Sequence, residues 1–180
     1  DKAVLEDKAV LADKVVLADK AAAGILVAQQ GAAMSLKSIA CEPAIRPRLV
    51  DACVGLVDDE VARKSGFSAL AIKGAFKIVK AIKPGFVREI VNGLFDEFVD
   101  AMEPHHQRWV DGGKVGTFGA SLQRDGRGVA DALLGVTDRR AQRTTMAQVK
   151  KLYGKLRPSA QDHVTAAIPG MARILDTQVT

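Results

Sequence analysis

The chain has 180 residues, with 26 Lys/Arg against 21 Asp/Glu and a formal net charge of +5. Apolar residues make up 48% but aromatics only 4%, so small aliphatic side chains carry the hydrophobic content; this suits packed helices and excludes an aromatic-rich β-sandwich. Two cysteines, Cys41 and Cys53, are too few for a disulfide scaffold, and they point to reduced thiols in a cytoplasmic setting, with a membrane surface as a second location.

The first 20 residues repeat with a period of six: Asp1-Lys-Ala-Val-Leu-Glu, Asp7-Lys-Ala-Val-Leu-Ala, Asp13-Lys-Val-Val-Leu-Ala, then Asp19-Lys-Ala-Ala. Six residues turn an α-helix by about 600°, so successive Asp-Lys pairs are displaced by about 120° and no single wet face forms. Two structured readings are open for this leader. One is a helix covered by other chains, and the other is a left-handed parallel β-helix, with Leu5, Leu11 and Leu17 at its aliphatic positions. Three hexads make only one turn of such a prism and cannot bury their own core, which favours the helix. The apolar run that follows, residues 21–28, includes Ile25, Leu26 and Val27. It is far shorter than the ~20 residues of a membrane span. Residues 1–40 are therefore expected to form a helical extension that buries Leu5, Leu11, Leu17, Ile25, Leu26 and Val27 in an assembly.

From residue 41 the chain reads as a bundle domain reaching residue 180. Pro47 suits the first turn of a helix over residues 48–64, with Leu49, Cys53, Leu56, Val57 and Val61 as its apolar stripe. Gly66 ends that helix, and Ser68 is expected to cap the next, over residues 69–82. There Ile72, Ala75, Phe76, Val79 and Ile82 share one face, and Lys73, Lys77 and Lys80 another. Pro84-Gly85 introduces a third helix over residues 86–102, and Pro104 begins a short continuation to Trp109. Residues 111–119 read as a glycine-rich loop. Further helices are expected over residues 117–124, 128–143, 145–156 and 159–176, the last kinked or split by Pro169. The fold class is all-α: a compact bundle of six or seven helices with an N-terminal helical extension.

Four segments carry a resemblance: Asp58-Asp-Glu-Val-Ala-Arg-Lys-Ser-Gly66, Ala71-Ile-Lys-Gly-Ala-Phe-Lys-Ile-Val-Lys-Ala-Ile-Lys-Pro-Gly85, Asp131-Ala-Leu-Leu-Gly-Val-Thr-Asp138 and Val149-Lys-Lys-Leu-Tyr-Gly-Lys-Leu-Arg-Pro158. Over residues 46–175 the chain resembles a small bacterial all-helical family of unknown function. The resemblance implies a compact helical fold and brings no activity, ligand or catalytic residue. The hexad leader lies outside it.

No motif carries recognisable chemistry. Glu103-Pro-His-His106 has the Glu-x-x-His spacing of di-iron bundles, but the third histidine, His163, follows Ala160 where a second glutamate is needed. A mononuclear site from His105, His106 and His163 is the remaining metal reading. Gly112-Gly-Lys-Val-Gly-Thr-Phe-Gly119 lacks the Lys-Ser/Thr pair and the preceding strand of a phosphate-binding loop. For the acidic run Asp58-Asp59-Glu60 nothing singles out the facing partner that paired-carboxylate catalysis would need, and it reads as a solvated face. No catalytic, cofactor or metal site is thus expected, although a polar cleft near His105, His106 and Asp111 would be the place to seek an enzyme. The expected function is a non-enzymatic scaffold or accessory subunit that self-associates, or docks onto a larger complex, through its extension. Several copies could enclose an apolar ligand such as a lipid or quinone. The alternative is a protein binding nucleic acid, another polyanion or anionic lipid. It would use Lys73, Lys77, Lys80 and Lys83 with the cluster between Arg124 and Arg157, which includes Arg139, Arg140, Arg143, Lys150 and Lys151.

Overall fold

The computed structural model describes residues 34–179, and among them there are seven α-helices and no strand. They are α1 (Leu36–Ala40), α2 (Arg46–Arg63), α3 (Phe67–Ile82), α4 (Phe86–Asp111), α5 (Phe118–Arg124), α6 (Gly126–Arg143) and α7 (Ala147–Val179). The hexads and the interaction residues Leu5, Leu11, Leu17, Ile25, Leu26 and Val27 lie outside the described residues. The compact unit begins at Ser35. Leu36 and Ala40 are wholly buried in it, although both fall in the stretch read from sequence as the extension.

Helix starts follow local chemistry. Pro47 stands in the first turn of α2, where its missing amide hydrogen is no loss. Gly66, at φ +81°, precedes α3, so this helix begins at Phe67 and Ser68 lies inside it rather than capping it. Gly85, at φ +76°, turns the chain into α4. Thr117 caps α5 by accepting a hydrogen bond from the Ala120 amide at 3.0 Å. The short α1 is held from a distance. The Glu103 carboxylate, on α4, accepts hydrogen bonds from the Leu36 and Lys37 amides at 3.0 and 2.9 Å.

Two long helices frame the bundle. α7 packs on α5, α6, α2, α1 and α3, while α4 packs on α6, α1, α2, α3 and α5. Both run through prolines at which the sequence predicts a break or a kink. Pro104 lies inside α4, and Pro158 and Pro169 lie inside the 33-residue α7. A proline interior to a helix forfeits one hydrogen bond and crowds the carbonyl four residues back. Around Pro169 the burial of Ile168, Gly170 and Ala172 against the bundle holds the helix together. Gly170 lets the Leu56 side chain of α2 lie directly on the α7 backbone.

The core gathers Leu36, Leu49, Val50, Phe95, Val99, Met102, Phe118, Leu122, Val129, Ile168 and Leu175. Phe118 sits at its centre, with its ring edge-on to His106 at 5.1 Å and tilted to Trp109 at 5.7 Å. The glycine-rich loop is shorter than expected. Gly113, Gly116 and Lys114 take positive φ, whereas Gly119 is buried in α5. Its amide donates to Asp176 at 2.7 Å, and a Cβ there would collide with that carboxylate and approach the Ala172 carbonyl oxygen to 2.7 Å. Glycine at 119 is a condition of docking α5 onto α7.

Candidate functional site

An open groove of about 580 Å³ lies between the N-terminal halves of α4 and α7. Phe86, Ile90 and Leu94 recur every fourth residue and line one wall from α4. Val149, Leu152, Tyr153 and Leu156 follow the i, i+3, i+4, i+7 pattern and line the other from α7. Val79 of α3, Thr137 and Ala141 of α6 and the exposed Met146 complete the lining. Its volume lies in the range of about 300–1,000 Å³ typical of small-molecule sites. Gly93 also lines the groove, and nothing lies within 4 Å of where its Cβ would stand.

Most polar groups of the groove are already engaged. Tyr153 donates to Asp138 at 2.7 Å and lies 2.9 Å from Thr137, while Arg157 holds both Asp138 oxygens at 2.8 and 3.0 Å. Arg157, then Tyr153, keeps the Asp138 carboxyl below the usual carboxylate range. Burial raises the Tyr153 hydroxyl. At the rim Arg140 pairs with Glu97 at 2.5 Å and donates to the Gly93 carbonyl at 3.0 Å. Glu89 pairs with Lys83 at 2.5 Å. Arg143 lines the groove with no ion-pair partner among the described residues.

The remaining basic residues scatter in their engagement. Lys80 pairs with Asp58 at 2.6 Å and lies over the Phe76 ring. Lys73, Lys77, Arg139, Lys150 and Lys151 are exposed and make no ion pair among the described residues.

No group of His, Cys, Asp and Glu that could hold a metal occurs among the described residues, so His105, His106 and His163 do not form the mononuclear site considered from sequence. Glu103 serves instead as the cap of α1. His106 is a core residue, 3% exposed, packed against Trp109 and Phe118. His105, Arg108, Ser121, Arg124 and Asp125 do line a small polar cleft of about 210 Å³. There Arg108 donates to His105 Nδ1 at 2.7 Å and to Asp125 at 3.2 Å, so the Arg108 and Asp125 charges offset one another within the cleft. Asp111 faces Gln107 at 2.8 Å and is not part of its lining. Burial pushes the Cys53 thiol up to about 11, and burial likewise raises Cys41, so neither is an activated nucleophile.

Burial also lowers the pKa values of His105 and His106, with Arg108 and Lys114 adding to the effect and Asp125 and Glu103 partly opposing it. The folded state resists protonation at these rings more than the unfolded chain does. Their contribution to stability is therefore complete above about pH 6.5 and lost as pH falls through the lower folded values. The melting temperature should drop between pH 7.5 and 5.5 in a thermal scan, and His106→Phe, which keeps the ring contact, should flatten that drop.

The apolar face expected over residues 69–82 includes Val79. A helix pattern shows an apolar face without showing whether a partner reaches it. A family model described as a family of unknown function (DUF6918) matches residues 36–179, which includes all four segments of the resemblance. No curated protein and no solved structure matches the chain. Among the described residues no helix is long and apolar enough to cross a membrane.

Proposed function

The chain belongs to the family of unknown function DUF6918, and from its groove we propose that it is a non-enzymatic binding protein that captures an apolar ligand. The observation that carries this reading is the pair of apolar stripes, Ile90 and Leu94 on α4 against Leu152 and Leu156 on α7, which line one open groove without closing it. Apolar surface of this kind left facing water costs about 25 cal/mol per Å², and a ligand that covers it recovers that energy on binding. This groove lies within one chain, whereas the lipid or quinone site expected from sequence is a cavity enclosed by several copies. Assembly or docking through the leader remains part of the proposal and is supported by the hexads and the apolar run alone. The polyanion reading is supported less well, because Lys80, Lys83 and Arg140 already face carboxylates.

Titration of the full chain with the apolar dye N-phenyl-1-naphthylamine tests the proposal. A saturable blue-shifted fluorescence at one dye per chain is the expected result. An unsaturable, linear signal would overturn it.

A further inference from the structure

We infer that the groove's ligand is a single-chain amphiphile with an anionic head group, its chain lying along Ile90, Leu94, Leu152 and Leu156 and its head at Arg143; this rests on the groove being a binding site. The groove has three charged lining residues, Glu89, Arg140 and Arg143. Lys83 neutralises the first, and Glu97 together with the Gly93 carbonyl occupies the second. Arg143 is left as the uncompensated charge of the lining among the described residues. The turn beside it adds little: α6 ends and α7 begins there, so opposite helix-dipole ends nearly cancel and the guanidinium sets the sign. The Thr144 hydroxyl at this turn already accepts from the Met146 amide at 3.3 Å.

The rest of the lining rejects a polar occupant. The Tyr153 hydroxyl is held by Asp138 and Thr137, so the residue offers the groove its ring rather than a hydrogen bond. A neutral apolar ligand fills the same walls but leaves Arg143 unused. A cationic amphiphile meets it as a like charge. An anionic head forms a charge-assisted hydrogen bond with the guanidinium at the groove's edge while the chain covers the two stripes.

The experiment displaces the bound dye from the full chain with laurate, dodecyl phosphate, dodecanol and dodecyltrimethylammonium, all below their aggregation concentrations. Laurate and dodecyl phosphate should displace it at about tenfold lower concentration than dodecanol, the factor expected of one charge-assisted contact. Arg143→Gln should remove that advantage and leave dodecanol unchanged, and Arg143→Lys should restore most of it. Equal displacement by anion, alcohol and cation, or an unaltered advantage in Arg143→Gln, would overturn the anionic head while leaving the groove as an apolar site. Displacement by an amphipathic helical peptide, but by none of the amphiphiles, would overturn the inference in favour of a protein occupant. Absence of saturable dye binding would instead remove the groove reading on which the inference rests.

Discussion

Phe118→Ala should destabilise the fold by about 3–5 kcal/mol, the usual cost of emptying a buried phenylalanine site. The ring is 0% exposed and is the largest of the fully buried side chains. It opens α5 immediately after the Thr117 cap, between His106 and Trp109 of α4, while the adjacent Gly119 is tied to Asp176 of α7. Removing it leaves a cavity where α4, α5 and α7 meet, and the Gly119–Asp176 contact prevents α5 from sinking into it. A domain of this size has only about 5–15 kcal/mol of stability in total, so the loss is large. The melting temperature should fall by roughly 10 °C. Phe118→Leu should lose well under half as much. If Phe118→Ala melted within a degree or two of the parent chain, the placement of α5 as the keystone of the core would be wrong.

Gly93→Trp should abolish dye binding without destabilising the protein. Gly93 is an exposed interior residue of α4, at negative φ, and its Cβ position is open. Any side chain there spares the helix part of the roughly 1 kcal/mol that an interior glycine costs, and tryptophan places its ring where a ligand would lie. The Arg140 contact uses the Gly93 backbone carbonyl and is retained. Binding should weaken by about 100-fold or more, a loss of roughly 3 kcal/mol from the occluded apolar surface. The melting temperature should stay level or rise. This pairing of lost binding with preserved stability separates a filled groove from a damaged fold, which a charged substitution at Leu94 would not do. Unchanged dye affinity in Gly93→Trp would place the dye elsewhere.

Much of the architecture could be read from residue order. Pro47 and Gly85 mark helix starts because their allowed backbone conformations are local properties, whereas Gly66, expected to end one helix, stands at the start of the next. The stripe on α2 and the opposition of Ile72 and Phe76 to the exposed Lys73 and Lys77 on α3 are likewise local. Pro104 and Pro158 fall at expected helix boundaries yet lie inside continuous helices, because the penalty of a helical proline is local while the packing that offsets it is not. Glu103 shows the same limit. Its spacing to His106 suggested metal chemistry, yet its carboxylate serves the amides of Leu36 and Lys37, more than sixty residues away. The groove was hidden for a related reason. Ile90 and Leu94 carry the same periodicity whether the facing helix touches them or stands off, and nothing in the sequence near Arg143 says that Glu97 and Glu89 are committed to other cations. The resemblance to the family identified the domain and, having no known activity behind it, could not identify the site.

The leader complicates any simple binding curve, since its own apolar residues could attract a hydrophobic probe. The decisive measurement therefore locates the ligand. Laurate carrying a nitroxide, added to the methyl-labelled 180-residue chain, should broaden the resonances of Ile90, Leu94, Val149, Leu152 and Leu156 in a saturable way, and Gly93→Trp should abolish the effect. Broadening that spares those methyls and appears instead at Leu5, Leu11, Leu17 or Ile25 would contradict the groove as the ligand's seat and return the apolar chemistry of this protein to its leader.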